Sequence, residues 1–561
     1  MGVAGQELWL LLESLTASRA DTPGVPFRAR VGVTGHRTLE DPESVARRIE
    51  GVLDWIETDV LQQTKATPVA YTVFSALAEG ADRLAARVML ERRSAELRAM
   101  LPLPRDEFTK DFRTEESRAE FAELLGRAVD PPNEPAQAEA RPEAYAAGGR
   151  TLVDHVDILI AVWDHEPPRG VGGTATVVEY ARRKEVPIVV ISAVEPDRID
   201  FPPLPVRPGL TYRVLDRLDL WMGERREETR LDGLRQEYRR LDAFNRERLR
   251  SQRVETGCER ERAGPPSAAR EAGIDESFSD WALPFFVRAD LLARLCQWKY
   301  TRVAFVVFLA AASAVSIAAL VEIYWHNENF LLIEVGLMVI VFALVLYARW
   351  GRPHDRWISY RSLAENLRSA PFLALITAGG QDRDRDEDPF EPWFQRAFSE
   401  VWKQRPAGRP VPDDPDVLAE FFDSAWIGGQ IAYHGKVSRQ FNRRHRVLTG
   451  LIYATFLATF FSAVLDLALA DFGARLFVLL AISLPAFGAA LSGYRELRQY
   501  GLHAERYRRA RNRLEDIRVA MHSENTPDEV KSRAAGAYAV MLEENLDWFG
   551  VLEFADLEIV I

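Results

Sequence analysis

The sequence predicts a doubly wound parallel α/β sheet followed by an α-helical membrane region of two transmembrane hairpins. Three observations predict it. Short β-branched runs alternate with amphipathic stretches over residues 28–195, four apolar blocks of membrane-spanning length lie in the second half, and basic residues crowd one side of each hairpin.

Strands are expected at 30–34, 69–75, 97–102, 157–163 and 187–192, with helices at 42–63, 80–94, 115–129, 143–154 and 174–184. Strand–helix alternation implies parallel pairing, because parallel strands need a long crossover and a helix is the usual one. Residues 130–142 read as a proline-punctuated loop insertion and 196–208 as a proline-rich exit from the domain. Residues 218–253 are dense in Arg and Glu with a spaced Leu, Tyr and Phe stripe, which predicts an exposed helix or helical hairpin packed on another cytoplasmic element.

The apolar blocks 303–321, 447–465 and 476–494 carry no charge, and 330–348 carries only Glu334. Each has about the ~20 residues that cross a bilayer as a helix. None shows the polar stripe of a surface helix in a soluble protein. Arg288, Arg294, Lys299 and Arg302 precede the first block, and Arg349, Arg352, Arg356 and Arg361 follow the second. Lys436, Arg439, Arg443, Arg444 and Arg446 precede the third, and Arg495, Arg498, Arg506, Arg508 and Arg509 follow the fourth. The turns between paired blocks hold almost no basic residue. By the positive-inside rule the N-terminus, the central segment and the C-terminus are all cytoplasmic. The carboxylates Glu322, Glu334 and Asp466 lie near the outer ends of the spans, Glu334 deepest.

This gives an N-terminal extension (1–27), a ligand-binding domain (28–195), a proline-rich exit with a helical connector (196–300), hairpin 1 (301–350), a cytoplasmic helical segment (351–446), hairpin 2 (447–494) and a cytoplasmic tail (495–561). Among 561 residues, 83 acidic side chains outnumber 71 basic ones, a net charge of -12. That balance disfavours general nucleic-acid binding, and no nucleic-acid partner is expected. The two cysteines, Cys258 and Cys296, form no CxxC pair, and the nine histidines show no metal-ligand spacing. Neither a disulfide scaffold nor a metal site is expected. The N-terminal apolar stretch 8–12 is flanked by Glu7 and Glu13 without a basic region, unlike a secretory signal.

In a doubly wound sheet, ligands sit beyond the carboxyl ends of the strands, where glycine turns and helix N-termini approach phosphate. Three glycine turns fall at such places. They are Thr34-Gly35-His36-Arg37, the run from Ser75 through Glu79-Gly80-Ala81-Asp82-Arg83, and Asp164 with the later Gly172-Gly173-Thr174.

Together with Val31-Gly32-Val33, the 75–86 run SALAEGADRLAA and Leu101-Pro102-Leu103-Pro104, these turns resemble the SLOG superfamily. That group includes the DNA-processing protein A fold, with its SGLARGID turn, and the LOG phosphoribohydrolases. The resemblance covers residues 28–192 and implies a Rossmann-like pocket for a nucleotide or nucleotide-derived ligand. It places ligand contacts at Thr34, Gly35, His36, Arg37, Ser75, Glu79, Gly80, Asp82, Arg83, Asp164, Gly172, Gly173 and Thr174. LOG enzymes read PGGxGTxxE, with a catalytic glutamate three residues beyond the threonine. Here Val177 holds that offset and Glu179 is the nearest glutamate, the one candidate for a catalytic role. Binding is therefore expected rather than turnover.

The segments Tyr360-Arg361-Ser362-Leu363-Ala364-Glu365-Asn366-Leu367-Arg368 and His503-Ala504-Glu505-Arg506-Tyr507-Arg508-Arg509-Ala510 resemble the SLATT effectors that accompany SLOG domains in prokaryotic conflict systems. Two hairpins stand here where that family has one. A weak internal repeat accompanies them, with Tyr360-Arg361 after the first hairpin and Tyr494-Arg495 after the second. The resemblances imply a multi-pass protein of the bacterial inner membrane, acting in antiphage defence. Its partners would be the lipid bilayer, a nucleotide second messenger or NAD-derived nucleotide as signal, and further copies of itself, because four spans cannot enclose a wide pore alone. No cofactor is expected. The alternative is a membrane-anchored nucleotide N-glycosidase or NAD-consuming hydrolase.

Overall fold

A computed structural model of the chain describes residues 24–552 except 93, 130–131, 134, 136–139, 168–170, 196, 205–228, 248, 250, 263–268, 276, 325–330, 378–390, 407–410 and 469–473. The described residues form two compact units, one of 24–247 with 391–400, the other of 249–377 and 401–552.

The first unit is a six-stranded sheet of order β3-β2-β1-β4-β5-β6. Its strands are β1 (Phe27–Gly35), β2 (Val69–Ser75), β3 (Ala95–Ala99), β4 (Ile158–Trp163), β5 (Ile188–Ser192) and β6 (Ile199–Asp200). The first five pair in parallel, and β6 runs antiparallel to β5. Its helices are α1 (Pro42–Trp55), α2 (Ala81–Arg92), α3 (Glu115–Gly126), α4 (Arg141–Asp154), α5 (Thr174–Arg183) and α6 (Arg230–Arg246). Every residue of β4, ILIAVW, is buried, as a central strand covered on both faces requires. The sequence begins α1 cleanly: the Asp41 carboxylate accepts from the Ser44 amide at 3.0 Å, and Pro42 opens the helix.

Several boundaries differ from the sequence reading: β1 is longer at both ends than the expected 30–34, and the helix expected to reach 129 ends at Gly126. The strand expected at 97–102 is Ala95–Ala99, because Pro102 and Pro104 have no N–H for a ladder. The helix expected to reach residue 63 ends at Trp55 in a π-turn, Ile56–Leu61, closed by left-handed Gln62 (φ 56°). The proline-rich exit adds the short strand β6.

The charged stretch at 218–253 is described from Thr229 on, and α6 packs on the sheet unit itself. Its capping box, Thr229 with Asp232, starts it. Arg235 donates to the carbonyls of Val60 and Asp59 at 2.5 and 2.6 Å, and the Tyr238 hydroxyl donates to that of Thr67 at 3.0 Å.

The second unit is helical: α7 (Ser251–Arg262), α8 (Leu283–Tyr324), α9 (Leu331–Gly351), α10 (Pro353–Ile376), then α12 (Pro415–Phe422), α13 (Gly428–Ala468), α14 (Ala474–Arg498), α15 (Tyr500–Met521) and α16 (Pro527–Leu552). Stretches long and apolar enough to cross a membrane lie within Leu283–Tyr324, Pro415–Ala468 and Arg475–Met521, and α9 carries a shorter apolar run, Val335–Tyr347. The side chain of Glu334 lies outside the described residues.

These helices repeat. A 42-residue helix (α8), a 21-residue one (α9) and a 24-residue one (α10) are followed later by helices of 41, 25 and 22 residues (α13, α14, α15). In both copies a single left-handed non-glycine residue separates the second helix from the third, Arg352 (φ 43°) and Gln499 (φ 41°). Superposing those joints pairs Tyr347 with Tyr494, Tyr360-Arg361 with Tyr507-Arg508, and buried Leu367 with buried Leu514. The repeat is therefore real, but its register differs from the one the sequence suggested between Tyr360-Arg361 and Tyr494-Arg495. In each copy an aromatic side chain of the first helix packs on the third, Tyr300 on His354 at 4.6 Å and Phe441 on Tyr500 at 5.7 Å.

The helix between the copies, α11 (Trp393–Trp402), lies through residue 400 in the sheet unit. Arg396 forms a two-point ion pair with Asp157, at 2.9 and 2.6 Å, and donates to the Arg28 carbonyl at 3.1 Å. Glu400 accepts from Arg28 at 2.5 and 2.9 Å, and Glu391 from Arg30 at 2.6 Å. Asp157 also accepts from the Arg30 amide at 2.8 Å. This clasp sits at the amino ends of β1 and β4. Burial alone would raise the Asp157 carboxyl, but Arg396 and Arg30 hold it below its ordinary value.

Candidate functional site

The strand order places β1 between β2 and β4, so the chain reverses its direction of travel across the sheet at β1/β4. A crevice outside the carboxyl ends of these two strands is where such folds hold ligands. The structure brings the first two glycine turns and Asp164 together there. The His36 amide donates to the Val162 carbonyl at 3.1 Å, and the Ala81 amide to the His36 carbonyl at 3.0 Å. The His36 ring Nε2 lies 3.0 Å from an Asp164 carboxylate oxygen. Thr34, Gly35 and His36 are partly exposed and Arg37 is exposed, so this loop faces outward.

Glycine is required at Gly80, where φ is +85° and an added Cβ would stand 2.4 Å from the carbonyl oxygens of His36 and Arg37. Gly35 is held as tightly, since its Cβ would come 2.5 Å from that of Ala81. The glycine at Gly80 thus lets the second turn lie directly against the first.

The third turn joins through α4. Gly172 (φ +89°) packs where a Cβ would meet the Pro142 carbonyl at 2.6 Å and the Tyr145 Cβ at 2.7 Å. The Tyr145 hydroxyl accepts from Arg37 at 2.8 Å and donates to Asp111 at 2.5 Å, and Asp111 pairs with Arg141 at 2.5 Å. Burial, then the Asp111 contact, pushes the Tyr145 hydroxyl up to about 12. Gly173 is the N-cap of α5, no side chain caps that helix end, and the space beside Gly173 is open. An uncapped N-terminus presents backbone N–H groups and the positive end of the helix dipole.

Of the residues singled out in the sequence, Ser75, Asp82 and Arg83 sit beneath this surface and Glu79 is partly exposed beside them. Asp82 is buried, and burial pushes its carboxyl up to about 7 against the backbone N–H of Ala78 and the guanidinium groups of Arg37 and Arg83. Ser75 is fully buried, and its hydroxyl accepts from the Leu77 amide at 3.0 Å. The Arg83 guanidinium turns toward α3, donating to the Leu77 carbonyl (3.0 Å), Ser117 (2.9 Å) and Glu120 (3.0 Å) with the Phe112 ring 4.4 Å away. Glu79 accepts from the Ser117 hydroxyl at 2.5 Å. These side chains brace the loops that carry the exposed ones.

On α5, Val177 is buried against Gly149 and Glu179 is exposed. Tyr145, Asp111 and Arg141 carried no motif. Only the fold shows that they link the first turn to the third. Among the described residues no group of three or more His, Cys, Asp or Glu side chains is arranged to hold a metal ion.

The chain thus combines a folded α/β domain with repeated helices, three of them long and apolar enough to cross a membrane among the described residues. The C-terminal helical part is similar to a known family: the model of SMODS and SLOG-associating 2TM effector domain 1 matches residues 425–548. That match spans α13, α14, α15 and most of α16, the second copy of the repeat, and supports a membrane-associated effector role. No curated protein matches the chain.

Proposed function

We propose that this chain is a nucleotide-sensing membrane effector with a cytoplasmic SLOG-like domain and four spans. A nucleotide second messenger or NAD-derived nucleotide binds at the β1/β4 crevice and shifts an oligomeric membrane region toward a leaky or open state, in prokaryotic antiphage defence. The observation that carries this reading is the convergence of the three glycine turns and the uncapped α5 N-terminus on one sheet edge, in a chain whose residues 425–548 match a 2TM effector family. Phosphate would lie at Gly173 and Thr174, with Arg37 and His36 on the rim. The fourth span is α9, whose position in the repeat is that of α14. The basic flanks of both hairpins support cytoplasmic ends and a bacterial inner membrane location.

Binding does work on the membrane only through different affinities for the two states. A hundredfold preference corresponds to ~2.7 kcal/mol, enough to bring a closed state favoured by about that much to equal populations. The clasp supplies a physical link. β1 and β4 carry the crevice at their carboxyl ends and grip α11 at their amino ends, and α11 is joined by the chain to both hairpins.

The test is thermal-shift and calorimetric binding of a nucleotide panel to the full-length protein in detergent, with chromatography of the recovered ligand. Binding of an intact nucleotide, lost in Gly173→Asp, is expected. A cleaved nucleotide would favour the anchored N-glycosidase. The buried Val177 at the family's catalytic offset and the outward Glu179 support the sensor instead.

A further inference from the structure

We propose that the basic end of the helical unit holds an anionic phospholipid headgroup, with its phosphate on Arg498 at the joint between α14 and α15. The proposal rests on the reading of α8, α13 and α14 as membrane spans.

Arg498 is a buried charge without a counter-charge. It is 7% exposed, and among the described residues it forms no ion pair. One of its terminal nitrogens donates to the Thr301 hydroxyl of α8 at 3.2 Å, the Tyr500 ring lies 5.5 Å away, and its Nε donates to nothing. A buried cation needs an opposite charge or strong acceptors, because the hydration lost on burial has to be replaced.

Other polar groups around the joint are also unpartnered. Arg495 stands three residues earlier on the same side of α14. It donates to the Thr449 hydroxyl of α13 at 3.3 Å, and its Nε has no acceptor. Its ion pair with Glu496, at 4.0 Å, ends on an exposed side chain. The indole N–H of Trp298, three residues before Thr301 on α8, has no acceptor either. The Gln499 amide oxygen is unpartnered too, and an amide turned over offers two donors. The local field is positive: burial, then Arg498 and Arg506, push the His503 imidazole down to about 4, so it is neutral at neutral pH. The joint itself does not call for the two arginines. Aligned on the left-handed residues, the first copy of the repeat has Ala348 and Gly351 where the second has Arg495 and Arg498.

Depth identifies the anion. Arg495 and Arg498 directly follow the uncharged block 476–494, and Thr301 directly precedes the block 303–321, so the cluster lies at the level of the headgroups. A phosphate diester carries a negative charge on two free oxygens, which match the guanidinium fork. A zwitterionic headgroup would bring a cation of its own to a cluster of donors.

The test melts the delipidated full-length protein in detergent with phosphatidylglycerol, phosphatidylcholine or inorganic phosphate, and reads bound lipid by native mass spectrometry. Phosphatidylglycerol is expected to raise the melting temperature well above the other two, and Arg498→Met to bind it about tenfold or more weakly. Without lipid, Arg498→Met should melt no lower than wild type, since it removes the unpaired charge. Arg443→Gln, at an exposed arginine of the same basic end, should bind as wild type does. An equal shift with phosphatidylcholine would overturn the need for an anion, and an equal shift with inorganic phosphate would overturn lipid as its source. Full binding by Arg498→Met, or an equal loss in Arg443→Gln, would overturn the site. An Arg498→Met protein that melts well below wild type without lipid would make Arg498 a structural residue and overturn the proposal. Extraction of the chain from membranes by alkaline carbonate would overturn the spanning reading separately.

Discussion

Gly173 and Gly172 are neighbours in sequence and opposite in what they tolerate. Gly172 has φ +89° and no room for a Cβ, whereas Gly173 has an ordinary extended backbone and open space beside it. Gly172→Ala is expected to destabilise by ~1–3 kcal/mol through strain, read as a lowered melting temperature. Gly173→Asp places a preferred cap on α5 and is expected to stabilise by about 1 kcal/mol or leave stability unchanged, while its charge expels an anionic ligand. Loss of binding without loss of stability in that variant separates the site from the fold. Asp82 gives a second prediction. Its folded carboxyl titrates near 7 against an unfolded value of 3.8, so the folded state holds one more proton between those values. Stability should fall as pH rises through that window, by up to about 1.4 kcal/mol per pH unit, and level off above it. Asp82→Asn should flatten that slope in pH-dependent unfolding. The glycines and the exposed His36-Arg37 pair were legible as motif residues. That Arg83 and Glu79 brace α3 was not, because a sequence motif fixes spacing but not the side to which a long side chain turns.

At the scale of elements, strand and helix order was legible because burial on both faces leaves continuous apolar runs such as ILIAVW, and helix starts such as Asp41-Pro42 announce themselves. The seat of α11 was hidden. Its ion-pair partners at the base of the sheet are more than 200 residues away, and a charged amphipathic helix reads the same whether it faces water or a row of complementary charges. The Arg396–Asp157 pair is fully desolvated, so removing one partner strands a buried charge. Arg396→Ala is expected to cost ~3–5 kcal/mol in chemical unfolding of the sheet unit, and the apolar double variant Arg396→Met/Asp157→Leu much less. Because Asp157 is held below its ordinary value, its stabilising contribution is present at neutral pH. It is lost as pH falls through the carboxylate range, a loss Arg396→Ala should abolish. The repeat was visible only as scattered tyrosines. Its register came from two left-handed joints, at Arg352 and Gln499, that no sequence rule assigns to those residue types.

For the whole molecule, hydropathy alone separated membrane helices from the α/β part, since the overall mean hydropathy of -0.17 averages two very different halves. The seat of α11 is not a composition property. Topology places it, a segment between the two copies of the helical repeat, at the base of the sheet. The account's central claim is that occupancy of the β1/β4 crevice opens the membrane region, and dye release from proteoliposomes reconstituted with the full-length protein tests it most directly. The account predicts release on adding the nucleotide that binds, and none from Gly173→Asp in the same vesicles. Release that ignores the nucleotide, or equal release from wild type and Gly173→Asp, would contradict it.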